Sequence, residues 1–173
     1  MPAMKLSERI GRLRESATLA IAERAAKLKE SGADIVAFTT GEPDFDTPQH
    51  IKDAAVEAMR KGLTKYTASS GIMPLREAVA EKLLRENALR YDAPSILVSC
   101  GAKHALYNVL QAICNDGDEV IVPSPYWTSY PEMVVAAGAT PVIVRTTKET
   151  GFKMTGDALK GALTPRSKAI MLN

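Results

Sequence analysis

The chain has 173 residues, with 22 Lys and Arg against 20 Asp and Glu; 46% of it is hydrophobic and 24% charged. That is ordinary globular composition, and a net charge of +2 spread along the chain argues against nucleic acid or an anionic membrane surface as the main partner. No apolar run approaches the roughly 18 to 20 residues of a membrane span, and Met1-Pro2-Ala3-Met4-Lys5 has no apolar leader core, so a cytoplasmic protein is expected. Cys100 and Cys114 have neither CxxC nor zinc-finger spacing, which disfavours a disulfide scaffold or a structural metal. Length alone suggests one complete small domain.

In chain order, the first sixteen residues read as an arm. A helix starts near Ala17 and is closed by Gly32. A second helix carries Ile51, Ala54, Ala55, Ala58 and Met59 at helical spacing, with Thr47 as N-cap, Pro48 at its first position and Gly62 just past its end. A third runs from about Pro74 to Asn87 on Leu75, Ala78, Val79 and Leu83. Composition shifts at about Leu89 to Pro94, and from there short β-branched runs alternate with helices. The expected order is a strand at Ser95–Ser99, a helix at Ala102–Cys114, a strand at Glu119–Val122 and a helix from about Trp127 to Ala137. A strand at Thr140–Val144, a short helix near Asp157–Leu163 and a strand at Lys168–Leu172 follow. Strands apolar on both faces and separated by helices predict an α/β fold, with a mostly parallel sheet covered by helices.

Ligands bind at the carboxyl ends of strands in such sheets, so the segments after Val98, Val122 and Leu172 are the places to search. Ser99-Cys100-Gly101-Ala102-Lys103 leads straight into a helix, whose first N–H groups and dipole favour an anion. The pattern reads either as a phosphate site or as an ordinary strand-to-helix turn. It is not a Walker loop, and no GxGxxG occurs anywhere, which weighs against nicotinamide binding. After the next strand, Trp127 in Pro123-Ser-Pro-Tyr-Trp-Thr-Ser-Tyr130 either stacks on an aromatic ligand or packs under its loop. Gly41-Glu-Pro-Asp-Phe-Asp-Thr-Pro48 offers backbone N–H groups to a carboxylate, or acidic side chains to a metal, or simply a rigid turn with Asp46 and Thr47 as caps. His50 and His104 fall on helices without a nucleophile at motif spacing, so no triad is read. Cys100 is either a thiol activated by the helix terminus or a small packed residue.

Taken together, the segments Gly41-Glu-Pro-Asp-Phe-Asp-Thr-Pro48, Lys65-Tyr-Thr-Ala-Ser-Ser-Gly71 with Leu75-Arg76-Glu77, Gly101-Ala-Lys103, Gly117-Asp-Glu-Val120 and Ser124-Pro-Tyr-Trp-Thr-Ser-Tyr130 resemble class I, fold-type I aminotransferases dependent on pyridoxal 5'-phosphate (PLP). The resemblance is strongest to the bacterial aspartate aminotransferase subgroup, and all five segments come in that family's order and spacing. It implies that Gly101, Ala102 and Lys103 hold the PLP phosphate, that Trp127 stacks on the pyridine ring, and that Gly41 binds the substrate α-carboxylate. Tyr66 would reach the phosphate of a neighbouring subunit, implying a homodimer with shared active sites, and Arg14 would lie near the substrate's distal carboxylate. The implied reaction moves an amino group from an amino acid to a 2-oxo acid, such as 2-oxoglutarate, with PLP as electron sink.

The resemblance also divides the chain, with residues 1–45 as an arm and the start of a small domain, and 46–173 as the first part of the large PLP-binding domain. That part would hold strands 1 to 4 of a seven-stranded sheet ordered 3-2-4-5-6-7-1. The Schiff-base lysine of the family has no counterpart here, since Lys103 and Lys168 match other positions; the aspartate on the pyridine nitrogen and the arginine on the α-carboxylate are missing too. Activity is therefore expected of a longer parent and not of these residues alone. The alternatives are a non-catalytic piece that pairs with a full-length subunit, or a PLP lyase or synthase of the same fold. Unpaired strand edges predict that the isolated polypeptide is not a stable, soluble monomer.

Overall fold

Helices form where the apolar periodicity predicts them, and their ends show how the backbone satisfies its own terminal groups. The computed structural model describes residues 5–14, 17–38 and 41–173. Within the arm a short helix α1 (Glu8–Arg12) starts at Ser7, whose hydroxyl accepts from the Ile10 N–H. Helix α2 (Ala17–Glu30) ends as expected at Gly32, where φ is +87° and the Ala33 N–H reaches back to the Leu28 carbonyl. Helix α3 (Gln49–Arg60) begins one residue later than the capping pattern suggests. Pro48 occupies the N-cap and Thr47 makes no cap; instead the Asp46 carboxylate takes the Thr47 N–H at 2.8 Å and pairs with Lys52 Nζ at 2.6 Å. Helix α4 (Met73–Asn87) closes on Ala88 in the left-handed region at φ 55°, an end that no glycine announces.

The expected strand at Ser95–Ser99 does not form. Ala93–Ser95 is a 3-10 turn, and although Ile96 is extended at φ −102° and ψ 130°, a strand needs a ladder. The Val98 N–H finds the Ser70 carbonyl at 3.0 Å, a loop contact and not a neighbouring strand. Helix α5 (Gly101–Ile113), strand β1 (Glu119–Pro123), helix α6 (Ser129–Ala136), strand β2 (Thr140–Val144), helix α7 (Gly156–Ala162) and strand β3 (Ser167–Ile170) complete the chain.

The three strands form a parallel sheet in the order β2-β1-β3. Strands 3-2-4 are neighbours in the expected order too, so the strand that comes first in the sequence lies in the middle. Val120, Ile121 and Val122 of β1 are fully buried, and Val120 and Val122 pack with Leu110 and Cys114 from α5 and its end, and with Met133 and Val134 of α6. Burial on both faces is what a central parallel strand requires. Glu119 opens β1 as a buried carboxylate, accepting from Thr164 Oγ1 at 2.6 Å and Arg166 Nε at 3.0 Å, while its own N–H bonds the Arg166 carbonyl. Those contacts fasten the turn before β3 to the start of β1.

The chain falls into two compact units, one of residues 1–40 with 106–173 and one of residues 41–105. In the second unit Arg76 is buried and its Nε donates to the Ala93 and Ile96 carbonyls at 3.0 and 2.9 Å. Among the described residues no helix is long and apolar enough to cross a membrane.

Candidate functional site

In the unit of residues 41–105, the entry to α5 has the features of an anion site. Gly101 takes φ +82°, a conformation that L side chains rarely adopt, and its N–H bonds the Ser99 carbonyl at 2.8 Å to make the sharp turn into the helix. The Cys100 N–H donates to His104 Nδ1 at 3.2 Å, so the imidazole reaches back from the first helical turn. His104 is exposed and serves the helix entry as a cap, and Cys100 is exposed too, which corrects the reading of a small packed residue. Ser99 Oγ, in contrast, is buried and has no hydrogen-bond partner among the described residues.

A buried hydroxyl left without a partner costs free energy, so its place beside a helix N-terminus is informative. The outward N–H groups of that turn, the helix dipole, the Lys103 charge and the Ser99 hydroxyl together are a donor set suited to a phosphate monoester. The residues present therefore fit the phosphate end of PLP. Ser99 was not singled out by sequence reasoning; its only signal was its place as the last residue of an apolar run before a helix. Gly41 and Tyr66 belong to the same unit and are exposed, Tyr66 fully so. Among the described residues, a Cβ placed on Gly41 meets nothing within 4 Å, which leaves room beside it for a ligand. Of the acidic side chains in this loop, Asp46 is held below its ordinary carboxyl value by the Lys52 ammonium and then by the Thr47 N–H. It is occupied by the Thr47 N–H and the Lys52 ion pair.

In the other unit, the chain leaving β1 turns through Ser124 to Thr128. The Ser124 N–H bonds the Val144 carbonyl at 2.9 Å, and Thr146 returns hydrogen bonds to Ser124, so the turn is stitched to the end of β2. Trp127 lies in this turn, ahead of α6, and is 41% exposed. Tyr130 meets it edge-on, with ring centroids 5.7 Å apart and planes at 83°. This T-shaped contact steadies the indole while part of it remains accessible, as a stacking platform requires. Arg14 is exposed, and its backbone N–H donates to Glu132 Oε2 on α6 at 2.9 Å. Thr18 and Thr128 hydroxyls lie 3.5 Å apart, so the structure brings the first turn of α2 to the Trp127 turn. Sequence reasoning missed Glu132, because nothing in its spacing announces a partner 118 residues away.

Known proteins resemble this chain over nearly all of its length. The aspartate aminotransferase of Geobacillus stearothermophilus is 50% identical over 170 residues, which are 98% of this chain and 43% of that protein. A probable aspartate/prephenate aminotransferase of Thermus aquaticus is 51% identical over 168 residues, 97% of this chain and 44% of its own length. A solved structure of the Thermus thermophilus aspartate aminotransferase with maleate superposes with a TM-score of 0.92 at 50% identity, covering 96% of this chain and 44% of that one. The chain thus has the aspartate aminotransferase fold, and it spans less than half the length of the relatives it matches. The family model for aminotransferases of class I and II matches residues 33–173, and this chain belongs to that family.

Proposed function

We propose that the polypeptide carrying this sequence is a PLP-dependent aminotransferase of the aspartate type, moving an amino group between an amino acid and a 2-oxo acid, and that residues 1–173 supply the phosphate end of its cofactor cradle. The observation that carries this reading is the buried, unpartnered Ser99 hydroxyl at the mouth of α5, in a chain about half identical to aspartate aminotransferases. Ala102 and Lys103 present backbone N–H groups to the phosphate, and Gly101 gives the turn its left-handed geometry. Trp127 stacks on the pyridine ring and Tyr130 holds the indole at its edge. Gly41 donates its backbone N–H to the α-carboxylate, Arg14 attracts the distal carboxylate, and Tyr66 serves the phosphate of the second subunit of a cytoplasmic homodimer.

When bound, PLP supplies the electron sink for weakening bonds at the substrate α-carbon. The share of this chain is to bind and orient, because neither Lys103 nor Lys168 stands where the family keeps its proton-moving lysine. Restraining the phosphate at the entry to α5 limits the cofactor's freedom before the substrate arrives, which is a positional contribution to rate. In the same reading, residues 1–45 form the arm and the start of the small domain, and 46–173 open the large one.

The test is an assay of the intact polypeptide with PLP, aspartate and 2-oxoglutarate, following oxaloacetate. Saturable, PLP-dependent oxaloacetate formation is expected. A protein that binds PLP yet transfers no amino group from aspartate would rule out the aspartate assignment.

A further inference from the structure

Three contacts, two from the amino-terminal arm and one from the first turn of α2, lie along one face of α6. Arg9 Nη1 donates to the Ala136 carbonyl at 3.5 Å, the Arg14 N–H donates to Glu132 Oε2 at 2.9 Å, and Thr18 Oγ1 lies 3.5 Å from Thr128 Oγ1. Residues 128, 132 and 136 are spaced by four and so stack one above another along the helix. Arg9, Arg14 and Thr18 meet them in reverse order, and the chain therefore runs antiparallel to α6. Each contact suits its position. The Arg9 guanidinium sits at the carbonyl end of α6, where the helix dipole favours a cation, and the middle contact joins a backbone donor to a full negative charge.

Among the described residues of the arm, only Leu13 is even half-buried. Helix α1 spans five residues, too few to persist by itself in water, and it contains no buried residue. Among the described residues its placement therefore rests on the contacts with α6, of which the Glu132 bond is the shortest and the only one made by a carboxylate. Helix α6 begins two residues past Trp127, so fixing the arm on this face fixes Arg14 with respect to the turn that carries the indole.

We propose that Glu132 is a positioning residue that latches the amino-terminal arm along α6 and thereby holds Arg14 in place to receive the substrate's distal carboxylate. The part concerning substrate rests on the function proposed above; the latch itself does not.

Two measurements on the intact polypeptide test it, using Glu132→Ala and Glu132→Gln. The first is hydrogen exchange at the Arg14 amide without substrate. Exchange in Glu132→Ala is expected to be about fivefold faster than in the parent, and in Glu132→Gln, which keeps an acceptor oxygen, within about twofold of it. Unchanged exchange at amides of β1 in both variants shows that the fold is intact. Equal Arg14 exchange in all three proteins overturns the latch, whatever the activity. The second is steady-state kinetics with 2-oxoglutarate, where Glu132→Ala is expected to raise KM about threefold with kcat nearly unchanged and Glu132→Gln to restore it. Faster exchange with KM unmoved overturns the positioning role. Absence of transamination in the parent protein would be a failure of the proposed function and would leave the exchange result standing.

Discussion

The two compact units hold themselves together by different means. In the unit built on β1, three consecutive residues, Val120, Ile121 and Val122, have no accessible surface, and Val134 of α6 matches them. In the unit of residues 41–105, Arg76 is the only residue buried as a whole, while Ile51, Met59, Leu63 and Leu75 all stay at least 40% exposed. Apolar burial stabilises the first. The second is organised by the Arg76 bonds to two loop carbonyls and by a tight approach of Gly71 to Val98. A unit of the first kind is vulnerable to cavities, and one of the second kind to changes in backbone geometry and polar pairing.

The largest effect should come from a cavity in the first unit. Ile121→Ala is expected to cost about 2–5 kcal/mol of unfolding free energy, measured by chemical denaturation of the intact polypeptide. A loss below about 1 kcal/mol would mean that β1 is not the centre of the core and would break the contrast. Next is Gly71→Ala in the second unit. Gly71 has φ +100°, and an added Cβ would lie 2.6 Å from Val98 Cγ2 and 2.9 Å from Val98 Cβ, where a β-branched side chain has little room to yield. A cost of about 1–3 kcal/mol is expected, with faster hydrogen exchange within residues 66–98 and none in β1. Equal acceleration in both units would show them to be one cooperative block.

The smallest effect is electrostatic. The Thr164 hydroxyl and then the Arg166 guanidinium hold the Glu119 carboxyl below its ordinary value of 4.5. A carboxyl that is more acidic when folded contributes stability above its unfolded value, and loses it as pH falls through the lower folded one. The unfolding midpoint of the parent should therefore drop on acidification below pH 4.5 more steeply than that of Glu119→Gln. Parallel pH profiles would show that the Glu119 clasp contributes nothing through its charge.

Much of this was legible in the chain itself, for reasons that differ by element. The ends of α2 and α3 were readable because Gly32 and Gly62 supply left-handed turns that other residues avoid. The end of α4 was not, because Ala88 adopts the same conformation and nothing in its chemistry says so. Pro48, and not Thr47, stands at the N-cap of α3 with extended backbone and no side-chain cap bond, while the Thr47 N–H is bonded by the Asp46 carboxylate. Ser95–Ser99 has the β-branched look of a strand and the extended backbone at Ile96, but composition cannot supply a neighbour to pair with. For the site, small residues before a helix pointed to Gly101–Lys103, whereas the buried state of Ser99 Oγ and the bond from Arg14 to Glu132 depend on long-range packing that local patterns do not carry.

The strand order has a consequence in time. Because β1 lies between β2 and β3, its second edge stays open until Ser167–Ile170 has been made, about forty residues after β1 ends. At roughly 5–20 residues per second of synthesis, the most apolar strand of the chain waits some seconds with one side unpaired. Slower translation through residues 124–166 would lengthen that wait and favour association between nascent chains.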